Sequence, residues 1–132
     1  MAGKPILEHI IRKLEQSEVE KIYIVTNAKH HENFKKWLGG FDAKIPIEIV
    51  NDNTSSNEDR LGAVGDIHYL ISAKSIDNDI IVVAGDNLFE LGLNDVTNFF
   101  KKRKSNVIVL YDVKDLKLAR QYGIVGIDNE LV

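Results

Sequence analysis

The sequence predicts an α/β fold, a mostly parallel sheet with helices on both faces, and three observations lead there. Apolar, β-branched runs of strand length alternate with stretches whose apolar residues recur every three or four positions. Most of the first, third and fourth runs is apolar on both faces, the pattern of strands covered from both sides. Gly, Pro and Asn punctuate the junctions between the runs.

The chain opens on Gly3-Lys4-Pro5, and Pro5 suits a first helical turn because its φ is already helical and its missing N–H has no partner there. Ile6, Ile10, Ile11 and Leu14 mark the apolar stripe of a first helix. Residues 21–26 read as a strand. Phe34, Trp37 and Leu38 mark a second helix, which Gly39-Gly40 ends. Residues 45–50 are the second predicted strand, and residues 51–59 (NDNTSSNED) are too polar to bury and predict an exposed loop. Leu61, Val64, Ile67 and Ile71 define a third helix, and residues 79–84 a third strand. Leu93, Val96, Phe99 and Phe100 define a fourth helix with Asn94 capping near its start. Residues 106–111 are the fourth predicted strand and residues 124–127 a shorter fifth. A helix with no strand before it and an incipient strand at the far end make both ends read as internal to a longer domain.

With 132 residues, 44% of them hydrophobic, the chain suffices for one domain with a core. The net charge is -3, and Lys and Arg are interspersed with Asp and Glu, so the basic face of a nucleic-acid binder is missing and no nucleic-acid partner is expected. The longest apolar run, residues 80–84, falls far short of the roughly 20 residues of a membrane span, and Met1 opens no signal-peptide pattern. No membrane association and a cytoplasmic location follow as expectations. The absence of cysteine excludes disulfides, thiolate metal sites and a Cys nucleophile.

Three segments are candidates for chemistry. Residues 79–84 run into Gly85-Asp86-Asn87, which places a carboxylate and an amide just beyond the carboxyl end of a predicted buried strand, where open α/β sheets bind ligands. Asp86 there suits Mg2+, which favours carboxylate and phosphate oxygens, and Asn87 suits a sugar hydroxyl; the alternative is a plain turn. In Arg60-Leu61-Gly62-Ala63, Gly62 opens a helix and leaves backbone N–H groups approachable, although tight packing explains the same residues. In Tyr122-Gly123-Ile124-Val125, Gly123 opens a short strand and admits a ligand to the main chain.

The remaining polar and aromatic residues read as structural. His9, His30, His31 and His68 show no zinc-ligand spacing. Lys101-Lys102-Arg103-Lys104 suits the solvated, dipole-favoured end of a helix. Trp37 and the phenylalanines lie on apolar stripes and predict core packing, not base stacking. No Gly-x-Ser-x-Gly elbow is present.

Gly3-Lys4-Pro5-Ile6-Leu7, Arg60-Leu61-Gly62-Ala63, Val83-Ala84-Gly85-Asp86-Asn87 and Tyr122-Gly123-Ile124-Val125, in this order and spacing, resemble the sugar-1-phosphate nucleotidyltransferase family over essentially the whole chain. The run Gly85-Asp86-Asn87-Leu88-Phe89 is most similar to the glucose-1-phosphate thymidylyltransferases. The resemblance implies a Rossmann-like sheet lacking the first strand of the family fold. It also implies transfer of a nucleotidyl group from a nucleoside triphosphate, dTTP first among them, to a sugar 1-phosphate, with pyrophosphate released. By resemblance Asp86 is the Mg2+ ligand, Asn87 and Gly123 contact the sugar, and Gly62 contacts the base through its backbone. Lys4 matches a lysine that is not the family's catalytic one and receives no role.

The family's Gly-x-Gly-Thr-Arg loop, Pro-Lys-Pro lysine and Glu-Lys-Pro motif do not occur in these residues. No catalytic residue is therefore assigned, and the chain alone is expected to show no measurable transfer. In the family fold the missing strand lies between those at residues 21–26 and 79–84, so its absence predicts exposed strand edges and hence self-association, swapping or direct re-pairing of those two strands. A non-catalytic binding or regulatory module of the same fold is the alternative; a flavodoxin-like or dinucleotide-binding domain is disfavoured, since no Gly-x-Gly-x-x-Gly follows a strand.

Overall fold

The computed structural model describes residues 3–127, and the chain divides into two compact units that meet at Asp95 and Val96. The element order is α1 (Ile6–Leu14), β1 (Ile22–Thr26), α2 (Ala28–Gly39), β2 (Ile47–Asn51), α3 (Gly62–Lys74), α4 (Leu93–Arg103) and α5 (Leu116–Ala119). Among the described residues no helix is long and apolar enough to cross a membrane.

In the first unit β1 and β2 pair in parallel, from Ile22 opposite Ile47 to Thr26 opposite Asn51. The α2 crossover supplies the length that a parallel connection needs. Pro5 stands at the N-cap of α1, and the side chain of Asn27 caps α2 by accepting the His30 N–H at 3.1 Å. Gly40 is the C-cap of α2.

Side-chain alternation along β1 sorts the helices onto its two faces. Ile22 and Ile24 join Ile10, Ile11 and Leu14 of α1 and Leu93 in one apolar cluster, against which Trp37 of α2 also packs. Ile11 is 1% exposed and centres the core. The ring of Trp37 stacks on Phe41 at 5.0 Å and its indole N–H donates to Glu8, so this tryptophan is a packing residue, as its place on an apolar stripe predicts. On the opposite face Tyr23 is registered against Glu48, whose carboxylate pairs with Lys21 of the strand approach and with Lys74 at the end of α3. Helices thus serve both faces of a small parallel sheet, the α/β arrangement expected.

Among the described residues three predicted strands do not form. Residues 79–84 run without a ladder partner; Ile81 and Val83 pack on the core while Ile80 and Val82 stay exposed, so one face is covered where two were expected. Among the described residues β1 is hydrogen-bonded to β2 alone, so direct re-pairing with residues 79–84 does not occur. Residues 106–111 and 124–127, in the second unit, are also unpaired and carry exposed Ile108, Val109, Tyr111, Ile124 and Ile127. Apolar, β-branched runs specify an extended backbone that prefers burial; a ladder also requires a partner edge.

Smaller differences have local causes. Asn94 lies inside α4, and its amide donates to the Gln16 carbonyl at the end of α1 instead of capping. The apolar stripe of α3 is open at its start, with Leu61 and Val64 exposed and Ile67 and Ile71 half-buried. In the loop after β2, Thr54 is buried where the sequence predicts exposure. In the second unit a four-residue helix, α5, is capped by Asp115, which accepts the N–H groups of Lys117 and Leu118. Lys101 to Lys104 are exposed at the end of α4, as the dipole argument predicts.

Candidate functional site

The candidate residues lie on the loops and turns that follow extended segments. Gly85 and Asp86 occupy a turn closed by the Asn87 N–H donating to the Ala84 carbonyl at 3.3 Å, and both Asp86 and Asn87 are exposed. The segment before them is extended but unpaired, so they follow a half-covered run instead of a buried strand. A Cβ at Gly85 would lie 3.9 Å from Leu7 of α1, which places this turn beside the first helix.

Gly62 is the first residue of α3 and has φ +74°, a left-handed conformation that glycine alone adopts readily. Nothing lies within 4 Å of where its Cβ would be, so the backbone there is open to an incoming group. Gly123, in the second unit, is equally open, between exposed Tyr122 and Ile124. Asp86 and Asn87 are neighbours on one turn and share the first unit with Gly62, whereas Gly123 belongs to the second.

The approach to Gly62 is braced by polar groups that sequence reasoning missed. Asp52 accepts the Thr54 N–H at 2.7 Å and its hydroxyl at 2.8 Å, while the Thr54 carbonyl accepts the Ala28 N–H at the head of α2. The Asp52 N–H donates in turn to the Thr26 carbonyl at the end of β1. Asp59 accepts the backbone N–H groups of Ser55 and Ser56, which lower its carboxyl to about 2. Burial raises the carboxyl of Asp66, one turn beyond Gly62, and the charge of Asp52 and a hydrogen bond with it push it the same way. The available sequence signals were an Asp two residues before a Thr after a strand and a lone acid within a largely apolar helix.

Among the described residues no group of three or more His, Asp or Glu side chains is placed to hold a metal ion. An exposed lone carboxylate such as Asp86 still fits Mg2+, because that ion keeps several waters and takes only one or two carboxylates when phosphate oxygens complete its shell. A cavity of about 220 Å³ between the end of α1 and the start of α4 is lined by Lys13, Gln16, Ser17, Glu90 and Leu93, and none of the candidate residues lines it.

A parallel sheet with helices and exposed polar turns after its extended segments is the arrangement of an α/β domain, the class in which ligands are bound beyond the strand ends. The family model for nucleotidyl transferases matches residues 1–132, and the chain belongs to that family. It is similar to the bifunctional protein GlmU of Methanococcus maripaludis strain C5, at 32% identity over all of this chain and 28% of the relative. It is also similar to the bifunctional protein GlmU of Methanocaldococcus jannaschii, at 28% identity over 98% of this chain and 27% of the relative. A third similarity is to the UTP–glucose-1-phosphate uridylyltransferase AglF of Haloferax volcanii, at 25% identity over 92% of this chain and 47% of the relative. The chain thus spans between about a quarter and a half of the length of these relatives. No solved structure gives a significant match.

Proposed function

We propose that this chain is the nucleotide- and sugar-binding part of an enzyme that joins a nucleoside triphosphate to a sugar 1-phosphate. In that reaction a phosphate oxygen of the sugar bonds to the α-phosphorus, the bond from that phosphorus to the bridging oxygen breaks, and pyrophosphate leaves with the electron pair. The observation that carries this reading is the family match over the whole chain together with Asp86-Asn87 on an exposed turn.

Gly62 contacts the base through the backbone that its left-handed conformation leaves open. Asn87 offers its side-chain amide to a sugar hydroxyl, and Gly123 offers its main chain to the same sugar. Asp86 holds Mg2+, which when bound neutralises triphosphate charge. The base is a pyrimidine: Gly85 to Phe89 favour thymine by resemblance, and the name of the Haloferax relative favours uracil. Without the Arg and Lys of the family's phosphate-binding loops, the 132 residues are expected to bind but not to turn over. Among the described residues the second edge of β1 is unpaired, which supports self-association, and light scattering across a concentration series measures it.

The test is calorimetric titration of dTTP, UTP and ATP with and without Mg2+, on the wild type and Asp86→Ala. Mg2+ should tighten pyrimidine nucleotide binding by about tenfold or more, and Asp86→Ala should abolish that gain. Failure of every nucleotide to bind, or an unchanged Mg2+ effect in the variant, overturns the reading. The ranking of dTTP against UTP decides the base, and a pyrophosphate-release assay above the Asp86→Ala background would refute the expectation of no turnover.

A further inference from the structure

The start of α3 is folded closely around two glycines. Residues four apart on a regular helix hold their Cβ atoms roughly 5–6 Å apart. A Cβ on Gly65 would instead lie 2.7 Å from the Cβ of Leu61, well inside the roughly 3.5–4.0 Å of an ordinary carbon–carbon contact. The cause is Gly62, whose φ of +74° turns the chain back so that Leu61, the N-cap, lies over the first turn of the helix. Leu61 is 44% exposed and stands outside the core cluster, so its place depends on this local contact.

Two residues earlier the chain is already fixed. The Asp59 carboxylate accepts the N–H groups of Ser55 at 2.9 Å and Ser56 at 2.8 Å, and both of their hydroxyls as well. A displacement of Leu61 is therefore taken up at Gly62. That residue has the widest backbone freedom between the Asp59 loop and the body of the helix, and nothing lies within 4 Å of its Cβ position.

We propose that Gly65 is a positioning residue for the site at Gly62: its missing side chain lets Leu61 fold onto α3, and that contact fixes the direction in which Gly62 presents its main chain to the base. The proposal rests on the reading of Gly62 as a backbone contact to the nucleotide base. A larger residue at position 65 drives Leu61 outward, rotates Gly62 away from its left-handed conformation and moves the main chain that the base meets. Asp86 and Asn87 stand on a separate turn and keep their places.

Calorimetric titration of UTP and dTTP into the full chain tests this on the wild type, Gly65→Ala, Leu61→Gly, the double variant and Ala73→Gly, each well below its melting temperature. Gly65→Ala should weaken binding by about three- to tenfold, the worth of one neutral hydrogen bond, and by the same factor with and without Mg2+. Leu61→Gly removes the Cβ that a side chain at 65 would strike, so the double variant should bind within about twofold of Leu61→Gly alone. Ala73→Gly weakens the far end of the same helix without reaching Leu61 and should bind as the wild type does, which separates positioning from helix stability. Wild-type affinity in Gly65→Ala, an equal loss in Ala73→Gly, or a Gly65→Ala loss that persists undiminished in the Leu61→Gly background overturns the proposal. If Gly65→Ala does not fold, the double variant decides, since it should fold and bind as Leu61→Gly does, and failure in either respect overturns the proposal. A wild type that binds neither nucleotide overturns the reading of Gly62 itself, and this proposal with it.

Discussion

Glu15, at the C-cap of α1, ties that helix to the chain segment leading into β2, and removing its carboxylate should cost more than any exposed acid in the molecule. Its side chain is 1% exposed and accepts two bonds of 2.7 Å, one from the Arg12 guanidinium and one from the Lys44 backbone N–H. In Glu15→Ala the exposed Lys44 N–H loses a bond to a charged acceptor, which costs about 1.5–3 kcal/mol. The Arg12 bond adds less, because that side chain is 40% exposed, keeps the Asp42 carbonyl at 2.8 Å and stays 4.5 Å over the Phe41 ring. The expected loss is about 2–3 kcal/mol, or roughly 8–12 °C of melting temperature for a chain of this size. Glu15→Gln, which retains one acceptor oxygen, should fall between wild type and Ala. Burial would raise the Glu15 carboxyl, but the Lys44 N–H and the Arg12 guanidinium outweigh it and hold it below the ordinary value of 4.5. Its stabilisation is therefore present above that value and lost as pH falls through the lowered one. Thermal melts by circular dichroism between about pH 3 and pH 7 test both points. A Glu15→Ala melting temperature within about 2 °C of wild type at neutral pH would refute the reasoning.

Ile11, at the centre of the core, should lose about 2–5 kcal/mol as Ile11→Ala and about 0.5–1.5 kcal/mol as Ile11→Val, read from urea midpoints at constant slope. Gly62→Ala should cost about 1–2 kcal/mol by the same measurement, because an L side chain at φ +74° is strained even with open space around it. Gly65→Ala should also destabilise, since its Cβ would lie 2.7 Å from Leu61 Cβ and offset the gain of about 1 kcal/mol that Ala brings within a helix. Lys21, first, and Lys74, second, hold the Glu48 carboxyl below its ordinary value, so Lys21→Met should flatten the fall in urea midpoint on acidification that Glu48 produces in the wild type.

The parts of the fold that could be read from sequence are those whose cause is local. The Ile6, Ile10, Ile11 and Leu14 spacing defines a face within one helix, and the structure buries the last three of these residues. Pro5 and Gly40 terminate helices through their own backbone chemistry, and the first two predicted strands pair because they are joined by a crossover of the right length. Residues 79–84, 106–111 and 124–127 have the same composition as β1, and nothing within them could indicate that no edge would pair with theirs. The stripe beginning at Leu61 and Val64 shows the equivalent for a helix, because periodicity says which residues share a face and not what covers that face.

The candidate site divides along the same line. Asp86, Asn87, Gly62 and Gly123 could be singled out because short motifs carry them, and three of the four stand where the chain turns or starts a helix with its backbone accessible. Asp52, Thr54 and Asp66 could not, because each looks ordinary in its own segment and acquires meaning only from the others. Asp52 is one of many polar residues in its loop, and Asp66 interrupts an apolar helix with no neighbour in sequence to explain it. Parallel pairing of β1 and β2 places their carboxyl ends side by side, and that juxtaposition gathers Thr26, the head of α2 and the Asp52 loop into one network. The same loop reaches α3 through the Asn53 amide, which donates to the Tyr69 hydroxyl at 3.0 Å, a contact between two residues that no motif contains.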